Sequence, residues 1–67
     1  MGFTLKALRV NKNITQAEAG LELGVTSDTI SSWENGKSFP NVPQIEKIKE
    51  LYGVSYDDII FLPQTSV

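Results

Sequence analysis

Apolar positions in this chain recur at intervals of three and four and are broken by capping residues, the mark of short amphipathic helices. Leu5 and Leu8 fall at helical spacing in a first helix expected over residues 3–11, with Asn11 to Asn13 as its exit. Thr15-Gln16-Ala17-Glu18 forms a capping box, the Thr hydroxyl taking an amide of the first turn and Glu18 reaching back. Gly24 ends this second helix, since glycine accepts the left-handed conformation at a helix C-terminus. Thr26 caps a third helix, with Val25 and Ile30 placed as a hydrophobic staple, and Asn35-Gly36 closes it. Residues 36–42 read as a loop containing Pro40. Asn41 or Val42 opens a fourth helix, with Pro43 tolerated in its first turn. Ile45, Ile48, Leu51 and Tyr52 form its core stripe, and Gly53 stops it. Ser55 to Asp58 reads as another capping box, opening a short fifth helix that carries Ile59 and Ile60. No strand run or repeat is visible. The expected class is all-α, a compact five-helix domain over residues 1–62 followed by a patternless tail over 63–67.

Composition narrows the chemistry. With 67 residues the chain makes one domain, which buries only about 60% of the surface its unfolded form exposes. Caps and buried pairs therefore weigh heavily in its stability. The absence of cysteine removes disulfides, thiolate metal sites and thiol nucleophiles. The absence of histidine removes the usual general base and the commonest metal ligand. Glu18 and Glu22 share a helix face and mimic paired catalytic carboxylates, but without histidine or an evident cleft an enzyme is not expected, nor is a cofactor. No apolar run approaches the roughly 20 residues of a membrane span, so the expected location is the cytoplasm.

The net charge of −2 argues against a nucleic-acid partner until its distribution is considered. Residues 1–37 balance four positive against four negative groups, whereas residues 38–67 hold two and four. The acidity belongs to the C-terminal half. At 100° per residue, Ser27, Asp28, Ser31, Ser32 and Asn35 fall within an arc of roughly 140° on the third helix, while Ile30 and Trp33 lie opposite. One face is dry and the other carries short groups that donate or accept. Such residues favour caps and turns over helix interiors, so their concentration here suggests a surface that lies against something polar. Two helices joined by a short turn through Gly24 have the spacing of a helix-turn-helix, whose second helix can enter a DNA major groove.

The order Leu5-Lys-Ala-Leu-Arg9, Thr15-Gln16, Gly24-Val25, Ile30, Trp33-Glu34-Asn35-Gly36, Pro40 and Leu51-Tyr-Gly-Val-Ser55 resembles the phage repressor and Cro-type (XRE) helix-turn-helix family. The resemblance spans Leu5 to Ile60 and implies a lambda-repressor-like fold. It implies a transcriptional regulator, in the first instance a repressor, that binds double-stranded DNA as a homodimer on a near-palindromic operator. Ser27, Asp28 and Ser32 match positions that face bases, with Ser31 flanking them. Gln16, Asn35 and Lys37 match positions that hold the DNA backbone, and the following loop adds Ser38 and Asn41. Arg9 and Glu34 match a pair that joins the first helix to the reading helix. The chain departs from the family's pattern at Ala19, Gly20 and Leu21, where a large aliphatic, an alanine and a polar residue are usual. Gly20 keeps the position small but costs about 1 kcal/mol of helix propensity.

Each of these residues also has a plainer reading. Asp28 is an acid in a first helical turn, where the helix dipole favours it. The serines can be solvated surface, and Gln16 an ordinary first-turn residue. Trp33 reads as a core anchor, and Lys6, Lys12, Lys47 and Lys49 as solvated charges. For a dimer face the sequence offers Phe61 and Leu62. Two rival functions share the fold: an antitoxin that also binds a protein, and a helical adaptor that has lost DNA binding. A neighbouring toxin gene would favour the first, and absence of salt-sensitive duplex binding the second.

Overall fold

The computed structural model describes residues 2–61. The tail over residues 63–67 and Leu62 therefore lie outside the described residues. Among the described residues, four α-helices carry the fold: α1 (Leu5–Asn11), α2 (Gln16–Leu23), α3 (Ser27–Glu34) and α4 (Val42–Tyr52). Each begins where a side chain can take an orphan first-turn amide. Thr4 Oγ1 accepts from Ala7 N, and Thr26 Oγ1 from Thr29 N. At α2 the box is reciprocal, with Glu18 N donating to Thr15 Oγ1 at 3.1 Å and Thr15 N to Glu18 Oε1 at 2.8 Å. Asn41 and Gln44 form the same arrangement at α4.

Both chain ends depart from the five-helix expectation. Phe3 and Thr4 are not helical; they form a strand, β1 (Phe3–Thr4), because Thr4 serves as the extended cap of α1. Ser55 to Asp58 closes one 3-10 turn, with Asp58 N bonded to Ser55 O, and the chain then straightens into β2 (Ile59–Ile60). The β-branched Ile59 and Ile60 suit a strand better than a helix end. They also have a partner, since β1 and β2 pair in parallel with Phe3 opposite Ile59 and Thr4 opposite Ile60. Over the described residues the fold is thus mostly helical, with four helices and a two-residue ladder that joins Phe3–Thr4 to Ile59–Ile60.

Leu5, Leu8, Ala19, Leu23, Ile30, Trp33, Ile48 and Ile59 form the buried core, and Ile14, Val25, Leu51, Tyr52, Val54 and Phe61 pack around it. Every helix and the ladder contribute, so α3 is held from several sides at once. The α2–α3 turn is tight. Gly24 takes φ 75°, and the Gly20 carbonyl accepts from both Gly24 N and Val25 N. A Cβ on Gly20 would stand 2.6 Å from Val25 O, a backbone atom. The propensity lost at Gly20 therefore permits the close approach of the two helices.

Candidate nucleic-acid interface

The inner border of α3 is an ion-pair junction. Glu34 is 6% exposed and receives three donors. Arg9 Nε reaches Glu34 Oε2 at 2.6 Å and Arg9 Nη2 reaches Oε1 at 3.3 Å, a two-pronged pair. Gln16 Nε2 donates to the same Oε1 at 3.1 Å. The remaining arm of Arg9, Nη1, donates to the Ile14 carbonyl at 2.8 Å. One guanidinium thus links α1, the turn before α2 and the C-terminal end of α3. Buried charges are tolerated only when paired and hydrogen-bonded, and no buried side-chain polar atom among the described residues lacks a partner. The hydrogen bond to Glu34 raises the Arg9 pKa against the opposing effect of burial. Burial, reinforced by the Glu34 charge, pushes the Tyr52 phenol up to about 12.

The outer face of α3 is built differently. Ser27 and Asp28 in its first turn are exposed, and Ser31 and Ser32 one turn later are half-buried. Asn35 Nδ2 donates to Ser31 Oγ at 3.2 Å, so the helix end is tied to its own hydroxyl face. The backbone amides of Lys37 and Ser38 donate to Ser32 O, curling the chain back beneath α3. Lys37 and Ser38 are exposed on that curl. Asn41, also exposed, spends its side-chain oxygen on the α4 cap. Ile30 and Trp33 are buried on the opposite side, and Trp33 does not share the hydroxyl face.

Gln16 and Ser27 line one open concavity of about 540 Å³, together with Arg9, Asn13 and Thr15. The N-termini of α2 and α3 thus open onto the same side. Asn13 and Thr15 also belong to this rim, beyond their roles as helix exit and helix cap. The left-handed φ of 65° at Asn13, which follows a helix exit, is the signal that marks the turn forming the rim. The Gln16–Glu34 bond was also missed, because it depends on how two helices cross.

Leu21 is 83% exposed, so α2 presents a leucine to solvent where a polar residue is usual. Among the described residues, no helix is long and apolar enough to cross a membrane.

Residues 5–59 match the helix-turn-helix family. The HTH-type transcriptional activator BcrR of Enterococcus faecalis is 36% identical over 56 residues, covering 84% of this chain and 28% of that protein. The cryptic phage CTXphi transcriptional repressor RstR of Vibrio cholerae is 27% identical over 63 residues, covering 94% of this chain and 57% of that protein. Antitoxin PezA of Streptococcus pneumoniae is 33% identical over 60 residues, covering 90% of this chain and 38% of that protein. The chain therefore spans between about a quarter and just over half of the length of these relatives.

Proposed function

The chain belongs to the helix-turn-helix family, and on that footing we propose that it binds double-stranded DNA sequence-specifically to regulate transcription, as a repressor, with α3 in the major groove. The carrying observation is the two-sidedness of α3. Its inner side is anchored by Trp33, Ile30 and the Arg9–Glu34 pair, while its outer side offers only short polar groups. A major groove about 12 Å wide admits a helix, and short side chains let its axis approach the base edges.

In this reading Ser27, Asp28, Ser31 and Ser32 face bases. Gln16, Asn35, Lys37, Ser38 and Asn41 hold phosphates on either side. Phosphate contacts set register and base contacts set sequence. Gln16 bonds Glu34 through one amide hydrogen, which leaves its second hydrogen to meet a phosphate oxygen. Glu34 then aims Gln16 as well as fixing α3. With few cations at the interface one copy binds weakly, so two copies act together on a near-palindrome, with half-sites about 34 Å apart. RstR, a repressor by name, supports the direction of regulation, and BcrR, an activator by name, weighs against it.

The test is selection from a random duplex pool followed by sizing of the complex. The expected result is one enriched motif repeated about its centre and a complex holding two chains. Recovery of sequences without a common motif would refute sequence-specific reading.

A further inference from the structure

A serine hydroxyl carries one hydrogen and two lone pairs, so on its own it meets a donor or an acceptor equally well and says little about which base it faces. Ser31 is not on its own. Asn35, one turn further along the same face of α3, donates from Nδ2 to Ser31 Oγ at 3.2 Å. That bond fills one lone pair. An oxygen that already accepts a hydrogen bond is a better donor and a poorer acceptor, because the incoming N–H draws charge from it. Ser31 is half-buried at the edge of the row and Asn35 is exposed. We infer that Asn35 is a positioning residue: it fixes Ser31 as a donor towards the groove, so that Ser31 selects guanine over cytosine at one operator position.

The base edges make this a sharp choice. In the major groove guanine presents two acceptors, N7 and O6, and no donor, whereas cytosine presents only its N4 amino donor. Adenine and thymine lie between them, each with one acceptor. A donor at Ser31 therefore finds most at guanine and nothing at cytosine. Had Ser31 instead donated to the Asn35 carbonyl oxygen, only lone pairs would face outward and the order of bases would reverse. Asp28, three residues earlier and beside Ser31 on the helix, only accepts when ionised. The reading face thus sets an acceptor next to a donor, and Asn35 decides the second of these at a base it does not touch. The other Nδ2 hydrogen of Asn35 stays available to a phosphate oxygen, so the two roles coexist.

The inference rests on the DNA-binding reading, and the experiment separates the two. The full chain is competed between duplexes carrying each of the four bases at every half-site position of the selected sequence. Parent, Ser31→Ala, Asn35→Ala, Asn35→Asp and the Ser31→Ala, Asn35→Asp double variant are compared, with a melt of each. The parent should favour guanine over cytosine at one position by about 3–10-fold. Ser31→Ala should bring that ratio to within about twofold of unity, which identifies the position. Asn35→Asp introduces a side chain that only accepts and so takes the Ser31 hydrogen, which should invert the ratio in favour of cytosine. The repulsion of phosphate by the new charge weakens all duplexes alike and cancels in the ratio. Asn35→Ala, which adds no charge at the helix C-terminus, should lower the ratio without inverting it. In the Ser31→Ala background, Asn35→Asp should leave the ratio at that position unmoved. A uniform loss of affinity in both Asn35 variants, with every base ratio kept, would make Asn35 a phosphate or helix-end group alone and overturn the inference. So would a parent that favours cytosine at the Ser31 position, or a Ser31→Ala variant that changes no preference. Absence of duplex binding by the parent would refute the DNA-binding reading itself and this inference with it.

Discussion

The two sides of α3 share eight residues of one helix but follow different rules. On the inner side every polar atom is committed: Glu34 accepts from Arg9 and Gln16, and Arg9 spends its third arm on the Ile14 carbonyl. On the outer side Ser27 and Asp28 are exposed, and the bond between Asn35 and Ser31 is a surface contact. Substitutions on the first side should therefore change stability, and substitutions on the second should change recognition. The contrast also accounts for the poor helix formers on α3. A buried, hydrogen-bonded inner side and a Thr26 cap hold the helix, which frees the outer side from contributing to helix stability.

The largest effect that can break this comparison is at Arg9. Its side chain and that of Glu34 are 12% and 3% exposed, so Arg9→Ala strands a buried carboxylate at a cost of about 3–5 kcal/mol. In a domain of this size that should unfold much of the population, as read by a urea or thermal melt. Arg9→Met combined with Glu34→Leu should recover a large part of the loss, because no lone charge remains. A melt of Arg9→Ala within a degree or two of the parent would contradict the clamp.

Next comes Gly20. Alanine there should gain helix propensity, yet its methyl group meets the Val25 carbonyl at a distance no relaxed structure allows. The expected net loss is about 1–3 kcal/mol. An unchanged or higher midpoint would show that the α2–α3 turn is looser than described.

A smaller effect belongs to Tyr52. Below pH 10 the phenol is neutral in both folded and unfolded chains, and its contribution is fully present. Between pH 10 and about 12 the unfolded chain ionises while the folded one keeps its proton, so stability falls as pH rises. Because the ring is only partly buried, the loss attributable to it is roughly 1 kcal/mol. Tyr52→Phe should show a correspondingly smaller drop between pH 10 and 12 than the parent. Equal drops would contradict the assignment of this alkaline loss to Tyr52.

On the outer side, Lys37→Ala should leave the melt within about 0.5 kcal/mol of the parent. It should flatten the dependence of log K on log salt by about 1 per bound chain, whatever the duplex sequence. Loss of affinity for one sequence alone, with the slope unchanged, would move Lys37 from phosphate to base.

Local signals were legible in the sequence. Thr15 with Glu18, Thr26, Asn41 and Gly24 each act within one helical turn, and each cap forms where its residue type predicts. The β1–β2 ladder was not legible, because Phe3 finds Ile59 across almost the whole chain and no two-residue strand carries a periodic pattern. Ser55 to Asp58 misled for the same reason, since a capping box opens a turn but cannot say whether a helix follows. The dry and polar arcs of α3 were readable from angular spacing alone. That Gln16 also belongs to the Glu34 junction was not, because the bond exists only at one particular crossing of α2 and α3.

The central claim is that the outer side of α3 reads bases, and Asp28 tests it most directly. A carboxylate near the groove floor repels phosphate wherever it sits, and a cytosine amino group is the major-groove donor that suits it. Asp28→Asn removes the repulsion and supplies an amide that pairs with adenine. The decisive measurement is a competition series over all four bases at each half-site position, with parent and variant side by side. The account predicts tighter non-specific binding together with a shift at one position from cytosine towards adenine by roughly 1–3 kcal/mol. Tighter non-specific binding with every preference unchanged would reduce Asp28 to a helix-end charge, and no change in either would contradict the placement of α3 in the groove.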